Sequence, residues 1–216
     1  MAAHLHPFAE RFPRLWAFLE SVSVLVLGGL LFWLSSIVLV TMPAAIVGLY
    51  AAVGSLLRPM AGAPFTRFWR AFLGTFGTAL LLGLLDLLLG VIVYVDMRVF
   101  WSMGTLLTRG LALLMGSVAL MAIMANLFAW PLLAFYPQRL GKLLKRSFLL
   151  SAAHPFLALG GVVASLVLLL LMFTLPPRLL GLAVILGPGL LATVAGAIAW
   201  QAMKRYADPD DEELAE

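Results

Sequence analysis

The chain has 216 residues, of which 63% are hydrophobic and only 11% charged, with a net charge of +4 and no cysteine. An ordinary soluble domain carries about 25% charged residues, so this chain has too little polar surface to cover a globule in water. Disulfides, thiolate chemistry and cysteine metal sites are excluded, and His4, His6 and His154 are too dispersed for a metal motif.

Taken in order, the first basic residues precede an apolar run too long for a secretory signal and lacking a small-residue cleavage site, so a retained first span is expected. Residues 21–57 carry no charge. One helix through them would be about 55 Å long, against a hydrocarbon core of about 30 Å. Thr41-Met42-Pro43 divides the run: proline disfavours helix at the preceding residue and is accepted as the first residue of a new one. Further apolar segments follow at 71–97, 110–138, 147–177 and 179–203, the first of them interrupted by Asp86 and Asp96. The predicted architecture is all-α: a polytopic membrane protein with six spans near 21–40, 43–57, 71–97, 110–136, 155–175 and 179–203. The alternative is five spans plus a re-entrant or interfacial segment at 43–57. Residues 1–206 form one membrane domain and 207–216 an acidic, solvated tail.

Charge placement favours the six-span reading. It puts Arg11, Arg14, Arg58, Arg67, Arg70, Arg139, Lys142, Lys145, Arg146, Lys204 and Arg205 on one side and only Arg98, Arg109 and Arg178 on the other. The positive-inside rule then sets both termini in the cytoplasm, and the positive balance is read as orientation, not as nucleic-acid binding. Three basic stretches carry apolar residues at helical spacing: Phe12, Leu15, Trp16, Leu19; Phe65, Phe68, Trp69, Phe72; and Leu140, Leu143, Leu144, Phe148. The basic residues, among them Arg67, Arg70, Lys142, Lys145 and Arg146, are expected on the opposite side. Such helices suit an anionic headgroup layer or a docked cytoplasmic partner, and each would introduce one hairpin.

Few residues can carry chemistry. Asp86 falls mid-span, where a carboxylate costs about 2.5–3.5 kcal/mol on insertion scales; it is expected to face the interior or find a partner. Asn126 in the next span offers an amide. A proton relay through Asp86 is one reading, a polar contact fixing helix pairing the other. Asp96 is a candidate partner for Arg109 across the loop. Pro131 and the triplet Gly187-Pro188-Gly189 are helix-break candidates, read either as tolerated proline kinks or as backbone opened to line a substrate cavity. Gly160/Ala164, Gly161/Ser165 and Ala192/Gly196 are small-residue pairs at the spacing of close helix contacts. The chain has no phosphate-binding glycine loop, no metal-ligand pair at i, i+4 and no nucleophile elbow, so no catalytic residue, metal or cofactor is assigned and an enzyme is not expected.

Four segments in order, TMPAAIVGLYAAV (41–53), FTRFWRAFLGTF (65–76), YVDMRVF (94–100) and LGKLLKRSFLLSAAHP (140–155), resemble the YesL family of bacterial membrane proteins, over roughly residues 12 to 206. The resemblance implies an accessory protein of the plasma membrane, of the kind encoded beside carbohydrate ABC importers and polysaccharide-use genes. It brings no established activity and no catalytic residues. The functional expectation is a non-catalytic accessory or scaffolding subunit of a membrane complex, its partners the lipid bilayer and membrane proteins such as ABC importer subunits. A small secondary transporter, proton-coupled through Asp86, is the alternative.

Overall fold

A computed structural model describes residues 13–57 and 63–204. The expectations for His4, His6, Arg11, Phe12, Arg58, Arg205 and the tail 207–216 lie outside the described residues. Eight α-helices follow one another: α1 (Pro13–Ser36), α2 (Met42–Val53), α3 (Pro64–Gly74), α4 (Phe76–Ser102), α5 (Leu106–Phe135), α6 (Leu140–Ala153), α7 (Pro155–Phe173) and α8 (Leu180–Met203). No strand occurs among the described residues. With short 3-10 turns extending α2 at both ends, six helices are long and apolar enough to cross a membrane. The protein is a polytopic helical membrane protein.

The turn between the first two spans lies earlier than proline chemistry alone indicates. α1 stops at Ser36, and a new helical turn begins at Leu39, ahead of Pro43. Thr41 closes this turn: its backbone N–H donates to the Val38 carbonyl at 2.9 Å, and its hydroxyl bonds the Val38 carbonyl at 2.7 Å and that of Ser35. Pro43 sits in the first turn of α2, where its missing N–H costs nothing. Its ring packs where a side chain on Gly83 of α4 would stand. The second span therefore runs over 39–56, 18 residues, about 27 Å of helix, and its length matches a crossing.

Close contacts give the helix directions. Gly28 of α1 meets Leu49, Ala52 and Val53 of α2, so these helices fold back on each other. Gly187 of α8 meets Met172 of α7, and Gly161 meets Ile198, an antiparallel register over most of that hairpin. Asp86 meets Asn126 and Met97 meets Gly116 between α4 and α5. Gly104, at φ 71°, makes the α4–α5 turn, and Thr105 caps α5 by accepting from the Thr108 N–H at 3.2 Å.

α2 is the centre. It packs against α1, α3, α4, α5 and α8, and eight of its twelve residues are buried, mostly alanine, glycine and valine. Small residues let neighbouring backbones approach, which matters in lipid, where apolar side chains gain little by leaving the solvent. α3 lies on α2 with Phe68 over Gly48, the ring 3.0 Å from where a Cβ would stand. Phe68 is stacked on Phe72 and edge-on to Trp69.

Two expectations about the basic stretches change here. The first has no helix of its own: from Pro13 it is continuous with α1, because nothing between Pro13 and Ser36 breaks the helix. In the second, Arg67 is not on the polar side. It is 5% exposed, and its guanidinium donates to the Ala51 carbonyl (Nε 3.1 Å, and Nη2) and to the Ala52 carbonyl (Nη2, 2.9 Å). Those carbonyls belong to the last turn of α2, where backbone N–H donors run out and the negative end of the helix dipole lies; the Ser55 hydroxyl also donates to the Ala52 carbonyl, at 3.1 Å. Arg70, three residues on, is exposed as expected. The aromatic side of α3 is thus pressed into protein, although Phe65 and Leu73 remain exposed.

Removing the Arg67 fork should therefore loosen the centre of the bundle. Arg67→Met, which keeps the apolar stem, is expected to cost about 2–3 kcal/mol in thermal unfolding of the detergent-solubilised protein. Arg67→Lys should recover only part of it, since an ammonium lacks the fork, and Arg70→Met should stay within about 0.5 kcal/mol.

Candidate functional site

The polar residues expected inside the membrane do meet. Asn126 Nδ2 on α5 donates to Asp86 Oδ1 on α4 at 2.8 Å. Both side chains are half-buried. Around them Leu84, Leu87, Leu88, Met121 and Ile123 are half or more exposed, whereas Leu82 and Phe128 are buried and Gly83 meets Pro43 of α2, so the pair sits in the seam of a hairpin with one side on the bundle and the other side open. The bond ties α4 to α5. It leaves the second carboxylate oxygen, the amide oxygen and one amide N–H for any group that approaches. Asp96 and Arg109, expected as a pair across the loop, form no ion pair: Gly104 turns the chain without needing one. A shallow hollow near this tip is lined by Tyr94, Met97, Arg98, Val99, Trp101 and Ser102, two helical turns or more from Asp86. Among the described residues no three His, Cys, Asp or Glu side chains converge.

Neither helix-break candidate breaks its helix. α5 runs unbroken through Pro131, which is buried. α8 runs unbroken from Leu180 to Met203 through Gly187-Pro188-Gly189. What the triplet does is bring α8 against α1. A Cβ on Gly29 would fall on the Ile185 carbonyl oxygen, and one on Gly189 would stand 3.2 Å from the Leu25 carbonyl oxygen. Pro188 has no N–H for the carbonyl four residues before it, Val184, and its ring crowds that oxygen. Trp33 supplies the missing donor from α1: Nε1 donates to the Val184 carbonyl at 2.7 Å. Sequence reasoning passed over Trp33. The signal was available, because a proline inside a membrane helix implies an orphaned carbonyl at i−4 that needs a donor from elsewhere. The spacing cannot say which helix provides it.

The remaining basic-aromatic residues divide between the two short helices. On α3, Trp69 is half-buried among Phe65, Phe68 and Phe72. On α6, Lys142 and Lys145 are exposed, while Arg146 is half-buried with a long contact, 3.5 Å, from Nη1 to Gln138 Oε1. The buried side of α6 is Leu143, Ser147, Leu150 and Ser151. That is rotated from the expected Leu140-Leu143-Leu144-Phe148 face, and Phe148 is left exposed. Of the small-residue pairs, Ala192/Gly196 is buried, with Gly196 against Tyr50 and Leu57; Gly161 is buried against Leu127 and Ile198, whereas Gly160 faces open space.

The Trp33 contact makes a thermodynamic cycle possible. Trp33→Phe alone should cost about 1–2 kcal/mol, because the Val184 carbonyl loses its donor where lipid offers none. In a Pro188→Ala background α8 regains its own N–H, so the same change should cost roughly 1 kcal/mol less. Equal costs in both backgrounds, read by thermal unfolding, would dissociate Trp33 from Pro188.

Residues 25–97, about one third of the chain, match a family model described as "Protein of unknown function, DUF624". The matched stretch runs from the middle of α1 to near the end of α4. It includes the second half of α1, all of α2, Arg67 with its two acceptors, and Asp86, and it contains the first two segments that carry the YesL resemblance, with which it is consistent. No curated protein and no solved structure matches the chain.

Proposed function

We propose that the protein is a non-catalytic accessory or scaffolding subunit of a bacterial membrane complex, of the kind that serves a carbohydrate ABC importer, with both termini in the cytoplasm. The observation that carries this reading is the half-buried Asp86–Asn126 pair beside the open side of the α4–α5 hairpin. A polar edge left against acyl chains is costly, and a helix from another membrane protein covers it with a hydrogen bond and close packing. Six spans, which would return the two ends to the same side, and the weight of arginine and lysine on that side support a cytoplasmic placement of both ends. The YesL resemblance supports an accessory role and the link to sugar import.

Purification of the intact protein in gentle detergent, followed by mass spectrometry, tests this. A stoichiometric membrane partner is expected with the native chain. Asp86→Leu with Asn126→Leu, which removes the polar edge but keeps bulk, should lower its recovery roughly three- to fifteenfold while the variant elutes as a folded species. Asp86→Asn, which still forms hydrogen bonds, should keep the partner. A lone native protein counts against the proposal. Lost solute uptake in Asp86→Asn with assembly intact would move the reading to a proton-coupled transporter.

A further inference from the structure

α6 is held at the membrane boundary by its neighbours. It is joined to the spanning helix α5 through residues 136–139 and to the spanning helix α7 through His154 alone. One side of it, Leu143, Ser147, Leu150 and Ser151, is spent on protein contact, mainly with α5. The opposite side is ordered along the axis. Lys142 and Lys145 come first, both exposed; Phe148 and Leu149 follow, 49% and 54% exposed, and Phe156 opens α7 at 89%. From Lys142 to Leu149 the helix rises about 10 Å, more than the roughly 5–7 Å depth of one headgroup layer outside the hydrocarbon, so the two rows can reach both regions. No acid offsets the lysines within the helix, and Glu20, Asp86 and Asp96 are the only acids among the described residues.

We infer that the outward side of α6 is a binding surface for anionic phospholipid. Lys142 and Lys145 meet the headgroup phosphates, while Phe148, Leu149 and Phe156 lie among the first acyl carbons. A cation row followed by an apolar row on one helix side matches a lipid, whose charge and hydrocarbon are joined end to end. A soluble anion would use only the first half. The lysine stems can lie along the apolar row while their ammonium groups reach the phosphates.

The test uses the full-length protein in nanodiscs of phosphatidylcholine with a minor fraction of phosphatidylglycerol. Lipids retained after release are counted by native mass spectrometry. Phosphatidylglycerol should be enriched over its bulk fraction. Lys142→Gln and Lys145→Gln should each reduce that occupancy about fivefold, whereas Lys→Arg at both positions should preserve it, as should Arg178→Gln in the α7–α8 link. Both lysines are exposed, so unchanged melting temperatures are expected for all variants. The proposal is overturned by no enrichment in the native chain, by equal enrichment in the glutamine variants, or by displacement of the lipid with inorganic phosphate. It is also overturned if enrichment appears only once the acids of residues 207–216 are changed to amides, which would assign the lysines to that tail.

Discussion

A backbone carbonyl or amide inside a bilayer has no water to turn to, so each interruption of a helix must be repaired by another part of the same chain. Three repairs account for much of this architecture. Thr41 bridges to the carbonyls of Ser35 and Val38 and lets the chain reverse after α1. Arg67 collects the end of α2 through Ala51 and Ala52. Trp33 takes the Val184 carbonyl that Pro188 leaves without a donor. Each also fixes a connection: the first hairpin, the seating of α3, and the closure of the first helix on the last.

These repairs explain why the shortest span is the most enclosed. α2 ends inside the protein, so its terminal carbonyls need a donor that can be buried with them, and its alanines and glycines admit the helices that bring one. α4 and α5 have the opposite character. At 27 and 30 residues, about 40 and 45 Å, they exceed the hydrocarbon thickness, hold each other through Asp86 and Asn126, and, outside the buried end of α5 from Phe128 to Phe135, expose most of their large side chains. Burial is concentrated around α2, while the far end of the hairpin presents surface.

The helical class, the six spans and the Asp86–Asn126 meeting were legible in the residues, because uncharged runs and lone polar groups in hydrocarbon have few solutions. The exact turn after α1 was less so. Pro43 marks where a helix can begin, but Thr41, two residues earlier, can close the turn upstream and lengthen the second span. The fate of Gly187-Pro188-Gly189 was undecidable locally. The same triplet can open a helix or admit a neighbour, and only Gly29 and Trp33, more than 150 residues away, decide it. Periodicity likewise gives the apolar side of α3 and α6 approximately, since it does not know what will lie opposite.

Arg67 is the most instructive case. It stands in a basic-aromatic stretch of the same kind as the one holding Lys142 and Lys145, yet it is buried and they are exposed. The difference lies in the available acceptor. The end of a helix presents two carbonyls in fixed positions and a partial charge of about −0.5. A planar guanidinium, with its donors in a fork, can meet both at a smaller desolvation cost than an ammonium. An ammonium is a compact, strongly hydrated charge, better matched to a mobile phosphate in the headgroup layer. In the positive-inside count these cations were equivalent. In the structure the arginine at 67 fastens helix to helix, and the lysines of α6 stay exposed.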